Sequence, residues 1–238
     1  MKYILDTHTH TLACAHAYST VLENAKHAAE RGLALLAITD HAPGMVDSPH
    51  LRHFLNCMVL DKNLYGVEML YGAELDILDY NGKVSMDKGM RRRMDICIAS
   101  FHSDLLAPGS QKENTRAYLG AMQQYGVAII GHPEDGRVPV DYEAMAREAK
   151  RTDTLLELNN ASLKKVGFRK DARENAKTLL SHCEKQGVTI VLGSDAHFAT
   201  AVGELNMVAD LLDEMRFPQE LVINTDPERL TQYLESRK

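Results

Sequence analysis

The chain has 238 residues, of which 45% are hydrophobic and 25% are charged. A chain of this length and near-average composition can bury a substantial core, which excludes disordered, fibrous and mini-protein classes. Its 27 lysines and arginines against 33 aspartates and glutamates leave a formal net charge of -6 with histidine neutral. This acidic balance lacks the broad basic surface of a protein that binds extended nucleic acid.

The sequence gives no indication of export or membrane insertion. The apolar run 1–5 is too short for the core of a signal peptide, and the run 33–38 is too short to span a bilayer. The 4 cysteines are scattered along the chain and form no C-x-x-C pair, so the sequence does not indicate a disulfide framework. We therefore expect a cytoplasmic protein without a membrane partner.

Short runs rich in Ile, Leu and Val alternate with amphipathic segments, which is typical of repeated strand-helix units around a parallel sheet. The predicted strands are 3–8, 33–40, 68–78, 95–102, 127–132, 154–160 and 188–195, with 220–224 as an eighth candidate. The first predicted helix opens at a capping box, Thr20 to Glu23, and ends at Gly32. Further helices are predicted near 112–125, 141–151, 171–186, 203–215 and 227–236, with Gly126 and Gly187 as C-terminal stops.

The longest irregular segment, residues 42–66, contains Pro43, Gly44 and Pro49. We predict that it forms a lid or rim over the functional site, because long loops in compact domains are commonly functional. His50 and His53 lie in this segment and are candidates for lid or substrate-contacting residues. The pattern contains no linker or low-complexity tract, so we expect a single domain over residues 1–238.

Polar residues of the kind that bind metals cluster near the C-terminal ends of the predicted strands. In chain order they are His8, His10, His41, Glu74, His102, His132, Asp195 and His197. In a parallel β/α barrel these ends open on one face, and two histidines at i and i+2 of an extended segment point the same way. A single histidine here is more often a hydrogen-bonded polar residue than a ligand. The set as a whole predicts a transition-metal site.

Six motifs in a fixed order carry a family resemblance. They are His8-Thr9-His10, Thr39-Asp40-His41, Gly72-Ala73-Glu74, Ser100-Phe101-His102, Gly131-His132-Pro133 and Gly193-Ser194-Asp195-Ala196-His197. Together they resemble the PHP family, the polymerase and histidinol phosphatase domains, over nearly the whole chain. Segments such as 16–20, 157–160 and 203–204 resemble its small stand-alone YcdX-like phosphatases more narrowly.

The resemblance implies an α/β fold, a distorted (β/α)7 TIM-like barrel, with three divalent metal ions. By position, the first metal would be held by His8, His10, Glu74 and Asp195, the second by His102, His132 and Glu74, and the third by His16, His41 and His197. Glu74, Asp195 and His197 would be the catalytic residues. Zinc is the first expectation for the metal, with iron or manganese as alternatives, because nitrogen and oxygen ligands admit all three.

A bridging carboxylate can hold two cations roughly 3.5–4 Å apart, so that a shared water becomes a nucleophile near neutral pH. This chemistry predicts a phosphatase that hydrolyses small phosphomonoesters. Arg169 and Asn160 are the predicted substrate-binding residues, since an arginine fork suits phosphate. Asn159 could serve the substrate or brace a ligand, and Lys164 and Lys165 could be a solvated basic loop.

Three other functions compete with this prediction. A metal-dependent amidohydrolase also begins with His-x-His, but the run 95–102 lacks the bridging lysine that such barrels place on their fourth strand. A PHP-type phosphodiesterase or 3′-exonuclease would keep the metals and change the substrate. A non-catalytic metal-binding scaffold is the last alternative. The sequence leaves the physiological substrate open, and also whether the chain forms a homo-oligomer.

Overall fold

The structure, a computed structural model, describes residues 2–164 and 169–237. The strands are β1 (Leu5–Asp6), β2 (Leu35–Ile38), β3 (Asn63–Leu64), β4 (Val67–Tyr71), β5 (Ala73–Asp76), β6 (Cys97–Ser100), β7 (Ile129–Ile130), β8 (Leu155–Asn159) and β9 (Ile190–Gly193). The helices are α1 (Val21–Glu30), α2 (Leu51–Leu55), α3 (Lys88–Arg91), α4 (Gln111–Met122), α5 (Tyr142–Thr152), α6 (Ala172–Gln186), α7 (Asn206–Met215) and α8 (Pro227–Ser236).

The strands form two sheets, and the predicted α/β fold with parallel strands is confirmed. The first sheet has the order β1-β2-β4-β3 and the second has the order β5-β6-β7-β8-β9. All pairs are parallel except β3 with β4. Across the described residues the strand ladders remain two separate sheets rather than one closed hydrogen-bonded barrel, which makes the barrel strongly distorted.

Isolated backbone bridges join the first sheet to both edges of the second sheet. At the first seam, His41 bridges Glu74, and the Glu74 amide donates to the Asp40 carbonyl at 3.1 Å. At the second seam, Thr9 bridges Ala196, and the Asp195 amide donates to the His8 carbonyl at 2.9 Å. The two sheets therefore approach each other where the motif residues lie.

The first seam begins at Gly72, where the sequence pattern gives no sign that the predicted strand is interrupted. The predicted strand 68–78 is interrupted at Gly72, so that β4 pairs with β2 while β5 pairs with β6. A Cβ at Gly72 would lie 1.9 Å from the Ile96 carbonyl oxygen, so only glycine fits without backbone movement. One continuous run of sequence thus serves both sheets.

Every residue of β2, β5, β6, β8 and β9 is buried, as expected for parallel strands covered on both faces. The main apolar cluster joins the second sheet to helices, with Tyr118, Met145, Leu179 and Leu211 among its fully buried members. None of the helices in the described ranges is both long enough and apolar enough to cross a membrane. The packed scaffold fixes the strand ends on which the motif residues lie.

The helix boundaries follow the sequence signals closely. The Thr20 hydroxyl accepts from the Glu23 amide while the Glu23 carboxylate accepts from the Thr20 amide, which confirms the predicted capping box of α1. Gly187 ends α6 in the left-handed conformation, at φ 64. The predicted stop at Gly126 is wrong, because α4 ends earlier, at Met122 with Gln123 as its C-cap.

The eighth strand predicted at 220–224 is wrong. Two 3-10 turns occupy this region, Gln219–Leu221 and Ile223–Thr225. The side chain of Asn224 takes the place of a strand backbone: its amide donates to the carbonyls of Leu5 and Leu192, and its oxygen accepts from the Leu192 amide at 2.7 Å. These side-chain bonds, together with one isolated parallel bridge between Ile190 and Val222, hold the segment against β1 and β9 without a strand ladder.

Candidate metal centre

The motif residues converge around one carboxylate, Glu74 in β5. Glu74 Oε1 lies 2.9 Å from His132 Nε2 and 3.3 Å from His102 Nε2. Glu74 Oε2 lies 2.8 Å from His41 Nδ1, 3.4 Å from His8 Nε2 and 3.6 Å from His10 Nε2. The two oxygens of one side chain therefore face two different groups of histidines.

A second carboxylate, Asp195, closes the other side of the cluster. Its Oδ1 lies 3.3 Å from His10 Nε2 and 3.7 Å from both His8 Nε2 and His197 Nδ1. Asp195 follows β9, across the second seam from the His8-x-His10 pair. The aspartate thus faces the open side of that pair, opposite Glu74.

His16 completes the cluster at its outer edge. Its ring centroid lies 4.7 Å from that of His197 and 5.1 Å from that of His41. The ring of His10 lies 4.5 Å from His41 and 4.3 Å from His197. His16 also pairs with Asp47 through Nδ1. The structure thus brings all nine predicted ligand residues together.

The donor atoms fit metal ions. Among the described residues, five buried atoms of this cluster have no hydrogen-bond partner: His8 Nε2, His10 Nε2, His41 Nδ1, Glu74 Oε2 and His132 Nδ1. Such unsatisfied buried atoms are rare in proteins unless a ligand or ion satisfies them. Donor atoms of His8, His10 and Glu74 lie within 4.8 Å of one another, as do those of three further triads, one of which is His10, Cys14 and Asp40. Imidazole and carboxylate donors at this spacing are typical of a transition-metal site.

Two buried carboxylates hold the ligand rings from behind. Glu157 Oε1 lies 2.8 Å from His8 Nδ1, and Asp76 Oδ1 lies 2.7 Å from His102 Nδ1. Glu157 Oε2 also accepts from the His132 amide at 2.8 Å. A carboxylate on the outer nitrogen fixes the tautomer and leaves the inner nitrogen free to bind metal.

The sequence-based prediction missed Glu157 and Asp76. The signal was nonetheless available, because Glu157 is the one acid of the fully buried β8 and Asp76 is a second acid beside Glu74 in the fully buried β5. A charge on a fully buried strand needs a partner on the same side.

The electrostatics favour charged carboxylates. Burial opposes ionisation of Glu74, but positive charge on His8 and His102 holds its pKa well below the usual value. Burial likewise opposes ionisation of Asp195, while His8 and Arg169 hold its pKa well below the usual value. Burial and the neighbouring His41 lower the pKa of His10 to about 3, which keeps that ligand neutral.

Two of the predicted ligand residues lie on strained backbone. His132 has φ 32 and Asp195 has φ 55, in the left-handed region that residues with a side chain seldom adopt. The absence of a side chain at Gly193 leaves room for Glu157 and His8, since a Cβ there would lie 2.1 Å from Glu157 Oε1 and 2.8 Å from His8 Cβ. Strain of this kind is common at functional sites.

Arg169 lies directly behind the ligand Asp195. Its Nη2 donates to Asp195 Oδ2 at 3.0 Å, and its Nη1 donates to Asn159 Oδ1 and Ser162 Oγ. The structure therefore places this predicted phosphate-binding residue at the edge of the cluster.

The other predicted substrate contacts have different surroundings. Asn160 Oδ1 accepts from the amides of Met207 and Val208 at the start of α7, and its substrate contact remains a prediction. Lys164 pairs with Glu204 on the surface. Lys165 lies outside the described residues.

Parallel strands with metal-binding side chains at their ends define a class of metal-dependent α/β protein. Comparison with known proteins identifies relatives of the chain. A protein of Clostridium novyi named probable phosphatase is 42% identical to it, with 100% of this chain and 96% of the relative covered. A protein of Acetivibrio thermocellus with the same name is 43% identical, with 100% of this chain and 98% of the relative covered.

A solved structure shares the fold. It is the histidinol phosphate phosphatase of Lactococcus lactis, complexed with zinc, L-histidinol and phosphate, at TM-score 0.60 and 17% identity, covering 91% of this chain and 95% of the other. The PHP domain family matches residues 6–164. This chain belongs to the PHP domain family.

Proposed function

We propose that this chain is a metal-dependent phosphatase that hydrolyses small phosphomonoesters at a centre of three metal ions. The observation that carries the proposal is the position of Glu74, whose two oxygens face separate groups of buried histidines. The full-length relatives named probable phosphatases support the same activity.

The proposed ligand sets follow the three groups around the carboxylates. One ion would be held by His8, His10, Glu74 and Asp195, the second by His102, His132 and Glu74, and the third by His16, His41 and His197. When bound, the ions would supply a bridging hydroxide as the nucleophile and neutralise charge on the phosphoryl group.

We propose zinc as the metal, with iron or manganese as alternatives. The nitrogen-rich donor set and the zinc in the Lactococcus lactis structure support it. Three divalent ions add about +6 to this face, so the site would attract phosphate although the chain carries -6.

The residues of the chain perform the positioning. Glu157 and Asp76 orient the imidazoles of His8 and His102 through their outer nitrogens. Arg169 would direct its planar fork of N–H donors to the non-bridging oxygens of the phosphate, for which a guanidinium is well suited. In the structure that fork rests on Asp195 Oδ2, beside the cluster.

We further propose that the phosphatase is one domain and acts in the cytoplasm. Within residues 2–164 and 169–237 all four cysteines are free thiols, which supports a reducing compartment. The two sheets share one strand run through Gly72, which supports a single folding unit.

The test measures metal content and hydrolysis on one preparation of the full chain. We expect about three ions per chain and faster hydrolysis of p-nitrophenyl phosphate than of bis(p-nitrophenyl) phosphate. A preference for the diester would instead favour the phosphodiesterase alternative. Full hydrolytic activity in metal-free protein would overturn the proposal.

A further inference from the structure

His10 lacks the direct carboxylate support that His8 and His102 have. His8 and His102 each place a carboxylate on the outer nitrogen. The outer nitrogen of His10, Nδ1, instead lies 3.9 Å from the thiol of Cys14. Since outer contacts orient a ligand, the residues behind Cys14 determine how His10 is held.

Cys14 is fully buried and connects His10 to a carboxylate. Its Sγ lies 3.3 Å from Asp40 Oδ1 and accepts from the His41 amide at 3.3 Å. Cys14 therefore contacts both His10 and the backbone of a second ligand. The thiol lies between the His10 imidazole and the Asp40 carboxylate. Asp40 therefore supports its histidine through Cys14, whereas Glu157 contacts His8 directly.

Asp40 is itself held from two directions. Its Oδ1 accepts from the Thr11 amide at 2.7 Å, and its Oδ2 accepts from the Thr11 hydroxyl at 2.8 Å. The remaining partner comes from outside the strands: His53 Nε2 lies 3.1 Å from Asp40 Oδ2. The carboxylate is 1% exposed whereas the His53 side chain is 31% exposed, so this contact connects the surface to the buried centre.

His53 belongs to α2, within the irregular segment 42–66. Its neighbour Phe54 is buried and anchors the helix, and the rings of the two residues lie 5.0 Å apart, edge to face. Arg52, on the same helix, is exposed. The segment thus reaches the cluster at two places: Asp47 pairs with His16 Nδ1, and His53 contacts the carboxylate behind Cys14 and His10.

We propose that His53 is a positioning residue for the metal centre, acting through Asp40 and Cys14 on His10 and His41. The contact gives the 42–66 segment a role in the proposed site, because it couples the packing of α2 to the geometry of two ligands. This inference rests on the proposed metal-dependent function.

The experiment compares His53→Ala and His53→Gln with Arg52→Ala, a control on the same helix. Each metal-loaded protein is mixed with excess chelator, and the rate of metal release is measured. We expect His53→Ala to release metal about tenfold faster or more. His53→Gln restores part of the retention, because its amide can donate to Asp40, and Arg52→Ala behaves as the parent.

Two further measurements separate positioning from general loosening. The visible spectrum of the cobalt-substituted protein should change in His53→Ala, and kcat for p-nitrophenyl phosphate should fall with KM unchanged. Cys14→Ser, which retains a smaller hydroxyl, provides a second disruption if His53→Ala unfolds. Parent-like metal release and a parent-like cobalt spectrum in His53→Ala, or in Cys14→Ser if His53→Ala does not fold, would overturn the inference. If the parent binds metal but hydrolyses no phosphomonoester, the proposed function fails while the release rates still test His53.

Discussion

At the scale of single residues, Glu74 combines two requirements that are hard to satisfy together. It is a fully buried carboxylate, and it remains ionised because histidines surround both of its oxygens. An aspartate would be one methylene shorter, and a glutamine would present a donor to one group of histidines. The residue type and its depth in β5 are therefore both needed to face two groups of ligands.

Glu74→Gln should reduce phosphomonoester hydrolysis by a factor of at least about 10², because the amide keeps the volume but loses the negative charge that holds the cations. Metal analysis should show fewer ions per chain, and circular dichroism should show an intact fold. Glu235→Gln, on the exposed surface of α8, is the matched control. Parent-like activity in Glu74→Gln would reject the bridging role.

Arg169→Lys should raise KM for a phosphomonoester about tenfold while kcat changes less. A lysine keeps the charge but lacks the planar fork that contacts two oxygens. Steady-state kinetics on the metal-loaded protein measure the effect, and Lys164→Ala, which removes a surface cation paired with Glu204, serves as a control. An unchanged KM would assign Arg169 solely to supporting Asp195.

The convergence of the nine predicted ligand residues was foreseeable from sequence, whereas the contacts behind them were not. His8 and His10 could be proposed because side chains at positions i and i+2 of an extended segment point the same way. Cys14 and Asp40 give no such pattern, since their contacts join loops that only the tertiary fold brings together. The role of Asn160 in holding α7 was missed for the same reason.

At the scale of elements, local signals predicted helices better than strand ends. Capping residues such as Thr20 and Ser110 act within one turn, so the sequence contains the whole signal. The strand break at Gly72 depends on the approach of Ile96 from a distant part of the chain. The false strand at 220–224 arose likewise, because Asn224 meets β1 and β9 only in the folded protein.

Gly72→Ala should destabilise the protein by about 1–3 kcal/mol, because the added methyl forces the strand away from Ile96. Urea unfolding monitored by circular dichroism measures the loss. Gly89→Ala, in the short helix α3, is the comparison, since alanine is favoured there over glycine. Equal stability of both variants would show that the backbone at residue 72 can move without cost.

At the scale of the whole molecule, the proposed metal centre spans both sheets. The loops that follow β1 and β2 contribute His8, His10 and His41, whereas Glu74 and Asp195 come from the second sheet. Two of the three proposed ligand sets therefore contain residues from each sheet. The architecture, an α/β fold with a site at the strand ends, was predictable because alternating runs and strand-end histidines repeat along the chain.

Removing the metals should lower the thermal midpoint. An ion present at 100 times its Kd stabilises the native state by about 2.7 kcal/mol, which corresponds to roughly 5–10 °C for a domain of this size. Calorimetry before and after dialysis against a chelator, with metal analysis of both samples, measures the shift. An unchanged midpoint after complete metal removal would contradict a centre that joins the sheets.

The two seams have a further consequence for motion. Each is closed by an isolated bridge and a few backbone bonds instead of a full ladder, and each lies beside a ligand. Bound ions would then hold the two sheets together. Without them, the sheets would separate at the seams before the molecule unfolds globally. The amides of Glu74 and Asp195 donate across the seams. Their hydrogen exchange should therefore become faster when the ions are removed, because the two sheets would separate locally.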